Sequence, residues 1–266
     1  MIPSYNMRRC SLPPLAALLF LLATYAKSSH AHSSANQFHR LRPLAASGRL
    51  NCHSWRLGVE TNNIRDWSMV PLQCEDYVGH YMLGHQYRDD CISVTVAAIQ
   101  YAKTVAVKAV GGKDIWVFDI DETTLSNLPY YARSDVAFGA TKYNSSKFDA
   151  WIREGKAPGV PGMVRLYRTL TAMGIKAVFL SGTKEEFRKV RVTNLKNAGY
   201  TKWEMLILKG ANETGTSEEY KSKQRTELVK KGYRIIGNIG DQWSDLVGDN
   251  GGLRTFKLPD PMYYIA

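Results

Sequence analysis

The sequence predicts an α/β protein with a central parallel sheet flanked by helices. Five short apolar runs of strand length occur between residues 115 and 258, and helical patterns separate most of them. Glycine, serine and acidic residues follow directly after several of these runs. Apolar strands that alternate with helices are typical of a parallel sheet covered on both faces, and ligands of such a sheet bind at the carboxyl ends of its strands.

Each predicted element has its own pattern. The strands are expected at 115–118, 177–180, 205–208 and 234–237, with a weaker fifth strand at 254–258. Apolar residues at helical spacing predict one or two helices between Tyr77 and Val110, and further helices at 163–173, 184–198 and 218–231. The last two helices are each followed closely by a glycine, which is a common helix stop.

The composition is that of a globular protein. Hydrophobic residues make up 44% of the chain and charged residues 22%, which argues against a disordered or coiled-coil protein. The formal net charge is +11, but the lysines and arginines are spread along the chain and form no block, so we expect no nucleic-acid partner. The sequence leaves the oligomeric state open, a homodimer included.

The N-terminus has the pattern of a secretory signal peptide. Two arginines precede an apolar run from Leu12 to Ala26, and small and polar residues follow. The run is shorter than the ~20 residues that a spanning helix needs. We predict a signal peptide over 1–26, cut near Ala26 or Ala31, and a secreted (extracellular or cell wall) or vacuolar protein that does not stay at a membrane. A mobile leader over 27–50 and an N-terminal helical segment over 51–112 then precede the sheet.

Secretion determines how the cysteines and two asparagines are interpreted. Cys52, Cys74 and Cys91 remain after signal removal in an oxidising compartment, and three thiols allow one bridge. Cys52 and Cys74 lie among turn residues, whereas Cys91 lies in a helical pattern, so we predict a Cys52–Cys74 disulfide and a buried free Cys91. Asn144 and Asn212 fit the N-glycosylation pattern and are expected on the surface.

Two carboxylates end the first predicted strand. Asp119 and Asp121 are separated by one residue, and alternate residues of an extended segment share a face, so both side chains are expected to point into one site. Like charges this close favour a divalent cation or a shared proton. Taken alone, the Asp-x-Asp pair is equally compatible with a solvated loop.

Further polar groups follow the later strands. Ser181, with Gly and Thr after it, supplies hydroxyl and backbone donors suited to a phosphate oxygen. Asp241 and Asp245 follow the fourth strand, beside glycines that permit close backbone approach. Lys221 and Lys223 lie upstream of that strand, and either would balance negative charge. Each feature alone fits a helix cap, a turn or a surface lysine, but their joint occurrence at successive strand ends indicates one site.

Together these residues resemble the four motifs of the haloacid dehalogenase (HAD) superfamily. The motifs are Asp119-x-Asp121-x-Thr123, Ser181, Lys221 and Gly240-Asp241-x-x-x-Asp245. More narrowly, the chain is similar to the plant acid phosphatases and vegetative storage proteins related to class B acid phosphatases, from roughly Asn51 to the C-terminus. This likeness is carried by Cys52 with Trp55, Val70-Pro-x-x-Cys74, Asp119-Ile-Asp-Glu-Thr, Gly240-Asp-Gln-Trp-Ser-Asp245 and Pro259-Asp-Pro-Met-Tyr-Tyr-Ile265.

The resemblance implies an acid phosphatase with a Rossmann-like HAD core over 113–266 and a small cap inserted at about 126–162. Such an enzyme hydrolyses small phosphomonoesters with Mg²⁺ through an aspartyl phosphate. Asp119 matches the nucleophile and Asp121 the general acid that later activates water. Ser181 matches the phosphate-binding hydroxyl. Lys221 matches the lysine that steadies nucleophile and phosphate, although Lys223 is close enough to leave this assignment open.

The resemblance also implies a metal site and a cap that touches the substrate. Asp119, Asp241 and the backbone carbonyl of Asp121 would hold the metal, with Asp245 acting through water. Such a metal offsets the repulsion between a carboxylate nucleophile and a phosphate dianion. In the cap, Tyr130, Tyr131 and Trp151 are candidate substrate contacts, with packing inside the cap as the alternative.

Other functions have less support. All six histidines lie at or before His85, which disfavours a phosphohistidine mechanism and a His-rich dimetal centre. Neither Ser181 nor Ser244 lies in a G-x-S-x-G elbow, and the chain has no Walker motif. The main alternative is a vegetative storage protein with little or no activity, since storage members can lose the first aspartate. Asp119 is present and favours an enzyme. The third alternative is a phosphate-binding module without turnover.

Overall fold

The structure is a computed structural model that describes residues 50–106 and 112–266. The signal peptide predicted over 1–26, and the leader predicted over 27–50 except for its last residue, lie outside the described residues. No helix in the described part of the chain is long and apolar enough to cross a membrane.

The core is a five-stranded sheet in which every pair of neighbouring strands is parallel. Its strands are β1 (Asp114–Phe118), β2 (Lys176–Lys184), β3 (Met205–Lys209), β4 (Arg234–Gly240) and β5 (Thr255–Lys257), in the order β3-β2-β1-β4-β5. Along β1, Ile115 and Val117 pack into one hydrophobic cluster and Trp116 and Phe118 into another. Both faces of the central strand are therefore buried, as the sequence predicts for a parallel sheet.

Nine α-helices accompany the sheet in the described ranges. They are α1 (Cys52–Glu60), α2 (Glu75–Leu83), α3 (His85–Ala106), α4 (Leu128–Tyr131), α5 (Ser145–Glu154), α6 (Met163–Ala172), α7 (Arg188–Asn197), α8 (Ser217–Lys230) and α9 (Trp243–Leu246). Gly84 separates α2 from α3, so the segment predicted as one or two helices is two. Helix α1 lies within the helical segment predicted over 51–112, but no pattern located the individual helix, because its turn-rich start hid the inward-facing Trp55 and Val59.

The disulfide prediction is confirmed. Cys52 and Cys74 are bonded with their Cα atoms 5.4 Å apart, which ties α1 to the turn before α2, and Cys91 is buried and free. Asn144 and Asn212 are both exposed, as expected of glycosylation acceptors. Asn144 also begins α5, because its side-chain oxygen accepts a hydrogen bond from the Lys147 N–H.

Two boundaries near the candidate site differ from the prediction. Strand β2 continues through Ser181 to Lys184, where Lys184 pairs with Lys209 of β3 after a register shift. The helix predicted from Lys184 therefore begins only at Arg188, after a short 3-10 turn. The cap predicted over 126–162 contains α4, a 3-10 turn at Ala137–Gly139 and α5.

We predict that Gly237→Ala destabilises the protein. A Cβ at this position in β4 would lie 2.4 Å from ring atoms of Trp116, which is itself fully buried in β1. Overpacking a core in this way typically costs about 1–3 kcal/mol. Chemical denaturation measures the change, and Gly182→Ala is the matched control because its Cβ would meet nothing within 4 Å. Equal stability of the two variants would contradict the prediction.

Candidate active site

A cavity of about 480 Å³ lies where β1, β2, β3 and β4 end. Its lining includes the predicted site residues Asp119, Asp121, Ser181, Lys221, Asp241 and Asp245. Aromatic side chains of the cap and of the C-terminal segment line the rest of it, namely Tyr131, Tyr143, Phe148, Tyr263 and Tyr264. No histidine of the described residues lines the cavity, which agrees with the sequence analysis.

Asp119 lies directly after β1 with only 6% of its surface exposed. Its main-chain N–H donates to the carbonyl of Ile239 in β4 over 3.1 Å, which fixes the strand end. The Lys221 ammonium, on the second turn of α8, donates to Asp119 Oδ1 over 2.7 Å and also to Asp245 Oδ1. One lysine thus joins the end of β1 to helix α9, which follows β4.

Asp241 and Asp245 are held at the carboxyl end of β4. Asp241 Oδ1 accepts a hydrogen bond from Thr123 Oγ1 over 2.9 Å, and Asp245 Oδ2 accepts one from the Gln242 N–H over 2.9 Å. A Cβ on Gly240 would lie 2.2 Å from Asp245 Oδ2, so only glycine lets this carboxylate approach the strand. Carboxylate oxygens of Asp119, Asp241 and Asp245 lie within 4.8 Å of one another.

The electrostatics of this acidic triad (Asp119, Asp241 and Asp245) favour a cation. Burial raises the pKa of the Asp119 carboxyl well above its ordinary value, and Asp245 adds to the rise while Lys221 opposes it. Burial and Asp245 likewise raise the pKa of Asp241. Three buried carboxylates therefore face one ammonium group. Oxygen ligands with excess negative charge fit a hard divalent cation.

Asp121 lies in a different environment from Asp119, although only one residue separates them. Its Oδ1 accepts hydrogen bonds from Asn127 Nδ2 over 2.9 Å and from Arg191, and its Oδ2 accepts one from Thr183 Oγ1 over 2.8 Å. Arg191, on α7, is 1% exposed. Burial raises the pKa of Asp121, but Arg191 and the hydrogen bonds outweigh it and leave that pKa below its ordinary value.

Ser181 lies within β2, three residues before the strand ends, and its side chain is almost fully buried against Thr183. The Ser181 oxygen accepts a hydrogen bond from the Thr183 N–H over 3.0 Å, and the two side-chain oxygens are 3.1 Å apart. Gly182 and Thr183 line the cavity with it. This turn presents a hydroxyl and a backbone segment without a side chain, which is an arrangement that suits a phosphate oxygen.

The structure distinguishes the two candidate lysines by their burial, and the three cap aromatics by whether they line the cavity. Lys221 is buried in the site, whereas Lys223 is exposed and pairs with Glu213 over 2.9 Å. Tyr131 lines the cavity and stacks on Tyr263, with ring centroids 5.4 Å apart. Tyr130 and Trp151 are buried in the cap and do not line this cavity.

Sequence reasoning missed the residues that surround Asp121. Arg191 shares the buried side of α7 with Asn194 and Leu195. Its helical spacing from these two residues was the available signal, because an arginine on an inward-facing stripe needs a buried partner. Asn127 follows the first motif directly and carried no recognisable pattern of its own.

The comparisons with known proteins identify the family. Residues 40–266 match the HAD superfamily, subfamily IIIB (Acid phosphatase). The chain belongs to this family. It is 46% identical to "Acid phosphatase 1" of Solanum lycopersicum over 217 residues, which is 81% of this chain and 84% of the relative. It is also 44% identical to "Vegetative storage protein 1" of Arabidopsis thaliana over 217 residues, which is 81% of this chain and 79% of that protein.

Two further comparisons extend this result. The chain is 40% identical to "Stem 28 kDa glycoprotein" of Glycine max over 258 residues, which is 94% of this chain and 99% of that protein. A class C acid phosphatase from Bacillus anthracis superposes with a TM-score of 0.60 at 23% identity, covering 71% of this chain and 85% of that structure. This likeness shows that the two chains share a fold, and the family match confirms the resemblance expected from the motifs.

We predict that Lys221→Met abolishes most activity while Lys223→Met leaves it unchanged. Removing the ammonium of Lys221 leaves Asp119 and Asp245 facing each other without a counter-charge. Loss of such a preorganised charge typically lowers kcat by a factor of about 10² to 10³. Lys223 is a surface residue 60% exposed. Steady-state hydrolysis of p-nitrophenyl phosphate by both variants is the measurement. Equal rates would show that the buried lysine has no role in turnover.

Proposed function

We propose that this protein is a Mg²⁺-dependent acid phosphatase that hydrolyses small phosphomonoesters through an aspartyl phosphate. The observation that carries the proposal is the contrast between Asp119 and Asp121. Asp119 shares a cluster of buried carboxylates with one lysine, whereas Asp121 is enclosed by hydrogen-bond donors that belong to other elements. Two carboxylates in unlike environments suit two roles in one reaction.

The reaction divides between these two side chains. A carboxylate oxygen of Asp119 attacks phosphorus, and the bond between phosphorus and the alcohol oxygen breaks. Asp121 in its protonated form gives its proton to the departing oxygen, which leaves as the alcohol. Asp121 then takes a proton from water as that water attacks the phosphorus of the aspartyl phosphate. Inorganic phosphate leaves, and both aspartates return to their starting states.

Lys221, Ser181 and the backbone after it support these steps. Lys221 holds Asp119 from one side with an ammonium group that is kept charged, because Asp119 and Asp245 outweigh its burial and raise its pKa. This fixes which oxygen of Asp119 remains available. The Ser181 hydroxyl is a donor for a non-bridging phosphate oxygen, and Gly182, which has no side chain, lets that oxygen approach the backbone.

The residues present fit a divalent metal ion. Asp119, Asp241 and the backbone carbonyl of Asp121 would hold it directly. Asp245 is paired with the Lys221 ammonium through Oδ1 and accepts the Gln242 N–H through Oδ2, whereas the donors to Asp241 are all neutral. This difference supports a contact through water for Asp245. When bound, Mg²⁺ neutralises charge on the phosphate that the carboxylate nucleophile approaches.

Localisation follows from the sequence and the relatives. The predicted signal peptide, the disulfide and the two exposed glycosylation acceptors all suit a secreted or vacuolar protein. A relative at 40% identity is named a glycoprotein, and others are named vegetative storage proteins. Storage with little or no catalysis is therefore the second candidate function. The complete set of site residues around Asp119 favours catalysis.

The test of the proposed function compares Asp119→Asn with Asp121→Asn. Asp119→Asn lacks the nucleophile and should lose essentially all turnover. Asp121→Asn should still form the phosphoenzyme from p-nitrophenyl phosphate, whose leaving group needs little proton assistance, but should release phosphate about 10² to 10⁴ times more slowly. Quench-flow should show a burst of nitrophenol in Asp121→Asn and none in Asp119→Asn.

Two results would contradict this assignment. Equal residual rates in the two variants would mean that the aspartates do not divide the roles of nucleophile and acid. Wild-type protein that hydrolyses no phosphomonoester in the presence of Mg²⁺ would favour storage, or phosphate binding without turnover.

A further prediction concerns pH and metal together. Because the pKa of Asp121 is lowered, its protonated form increases only as pH falls, so alkyl phosphate hydrolysis should rise toward acid pH. Because the pKa values of Asp119 and Asp241 are raised, protons compete with the cation there, and metal affinity should fall as pH falls.

Raising the Mg²⁺ concentration should therefore shift the pH optimum to lower pH. Profiles of kcat/KM recorded at limiting and at saturating Mg²⁺ measure this shift, and a chelator should abolish activity. An optimum that does not move with Mg²⁺ concentration would contradict competition between protons and metal at the triad.

A further inference from the structure

We propose that Trp151 of the cap is a positioning residue for the general acid, acting through Asn127. This inference rests on the proposed function, in which Asp121 protonates the leaving alcohol. Trp151 lies in α5 and is 4% exposed, and its indole Nε1 donates to Asn127 Oδ1 over 2.8 Å. Asn127 Nδ2 donates in turn to Asp121 Oδ1 over 2.9 Å.

The chemistry of the donors fixes the direction of this chain of hydrogen bonds. An indole N–H only donates, so it selects the orientation of the Asn127 amide in which the oxygen faces the tryptophan. The amide NH₂ group must then face Asp121. In the opposite orientation the Asn127 oxygen would face the Asp121 carboxylate and repel it. The indole therefore determines which group the asparagine offers to the acid.

Asn127 can transmit this effect because its other contacts hold it in place. It is fully buried, and its main-chain N–H donates to Glu122 Oε1. Glu122 also accepts a hydrogen bond from Ser126 Oγ and has a positive φ of 55°, so the loop after β1 is held in a sparsely populated conformation. A fixed backbone leaves the side-chain amide as the part of Asn127 that can turn.

Trp151 is itself rigid within the cap. Its ring stacks on Tyr130, with centroids 6.4 Å apart and planes 26° from parallel, and the Arg133 guanidinium lies 5.4 Å from it. The cap residue is therefore a fixed donor at the end of a two-bond chain that reaches the acid. This gives Trp151 a role in the reaction without contact with the substrate.

Leaving-group dependence distinguishes this role from a merely structural one. An alkyl alcohol needs the proton of Asp121 to depart, whereas nitrophenolate departs readily without it. Trp151→Phe keeps the aromatic ring but removes the donor. It should lower kcat/KM for an alkyl phosphate by about threefold to tenfold, the value of one hydrogen bond, with much less change for p-nitrophenyl phosphate.

A double-mutant cycle tests whether the effect passes through Asn127. In an Asn127→Ala background, Trp151→Phe should cause no further selective loss with the alkyl ester. Trp203→Phe is the control, because Trp203 is a partly buried core tryptophan whose indole donates to none of the described residues. If Trp151→Phe does not fold, Asn127→Ala alone still tests the inference. It should lower kcat/KM for the alkyl ester much more than for p-nitrophenyl phosphate.

The outcomes separate this inference from the proposed function. Equal losses of Trp151→Phe with both esters, or additive effects in the cycle, would overturn the positioning role while leaving the phosphatase intact. Wild-type protein inactive toward both esters would instead overturn the proposed function. A selective loss that disappears in the Asn127→Ala background supports the inference.

Discussion

The buried contact of Lys221 with Asp119 and Asp245 is the interaction on which the site depends. Burying a carboxylate without a partner is costly, and here three carboxylates converge on one place. Lys221 reaches two of them from a helix that lies between β3 and β4 in the chain. Because the lysine joins the central strand to helix α9 after β4, the relative position of these two elements is set by charge as well as by packing.

The charge left over after this contact explains why a cation belongs in the site. Asp241 is not paired with Lys221, and its carboxylate is held by Thr123, Gln242 and Tyr263. These neutral donors orient the group without cancelling its charge. The fold thus keeps a net negative cluster beside the place where a negatively charged substrate must bind. A divalent ion would offset the repulsion between the carboxylates and that substrate.

The parallel sheet and most site residues could be predicted from the sequence, because both depend on local pattern. Apolar runs identify the strands. Asp119 and Ser181 directly follow two of these runs, and Asp241 comes four residues after a third. Lys221 could not be separated from Lys223 by sequence alone, since the choice depends on which face of α8 packs inward. Asp121 was found, but its partner Arg191 is 70 residues away, and a contact of that range leaves little local trace.

The structure of the cap and of the N-terminal helices also depends on contacts between residues far apart in the sequence. Helix α1 begins among residues typical of turns, and only its disulfide and the inward-facing Trp55 reveal it as part of the core. By its place in the cap implied by the resemblance, Trp151 is a candidate either for contact with the substrate or for packing inside the cap. Its burial and its hydrogen bond to Asn127 depend on how the cap folds. Hydrophobic periodicity in the sequence does not predict a contact between residues 24 positions apart.

The cavity wall formed by the C-terminal segment couples the cap to the end of β4. Tyr263 stacks on Tyr131 of the cap and donates to Asp241, and the Ile265 N–H donates to Gln242. One short segment therefore touches both the cap and the carboxylate cluster at the end of β4. A displacement of the cap would consequently also change the surroundings of Asp241.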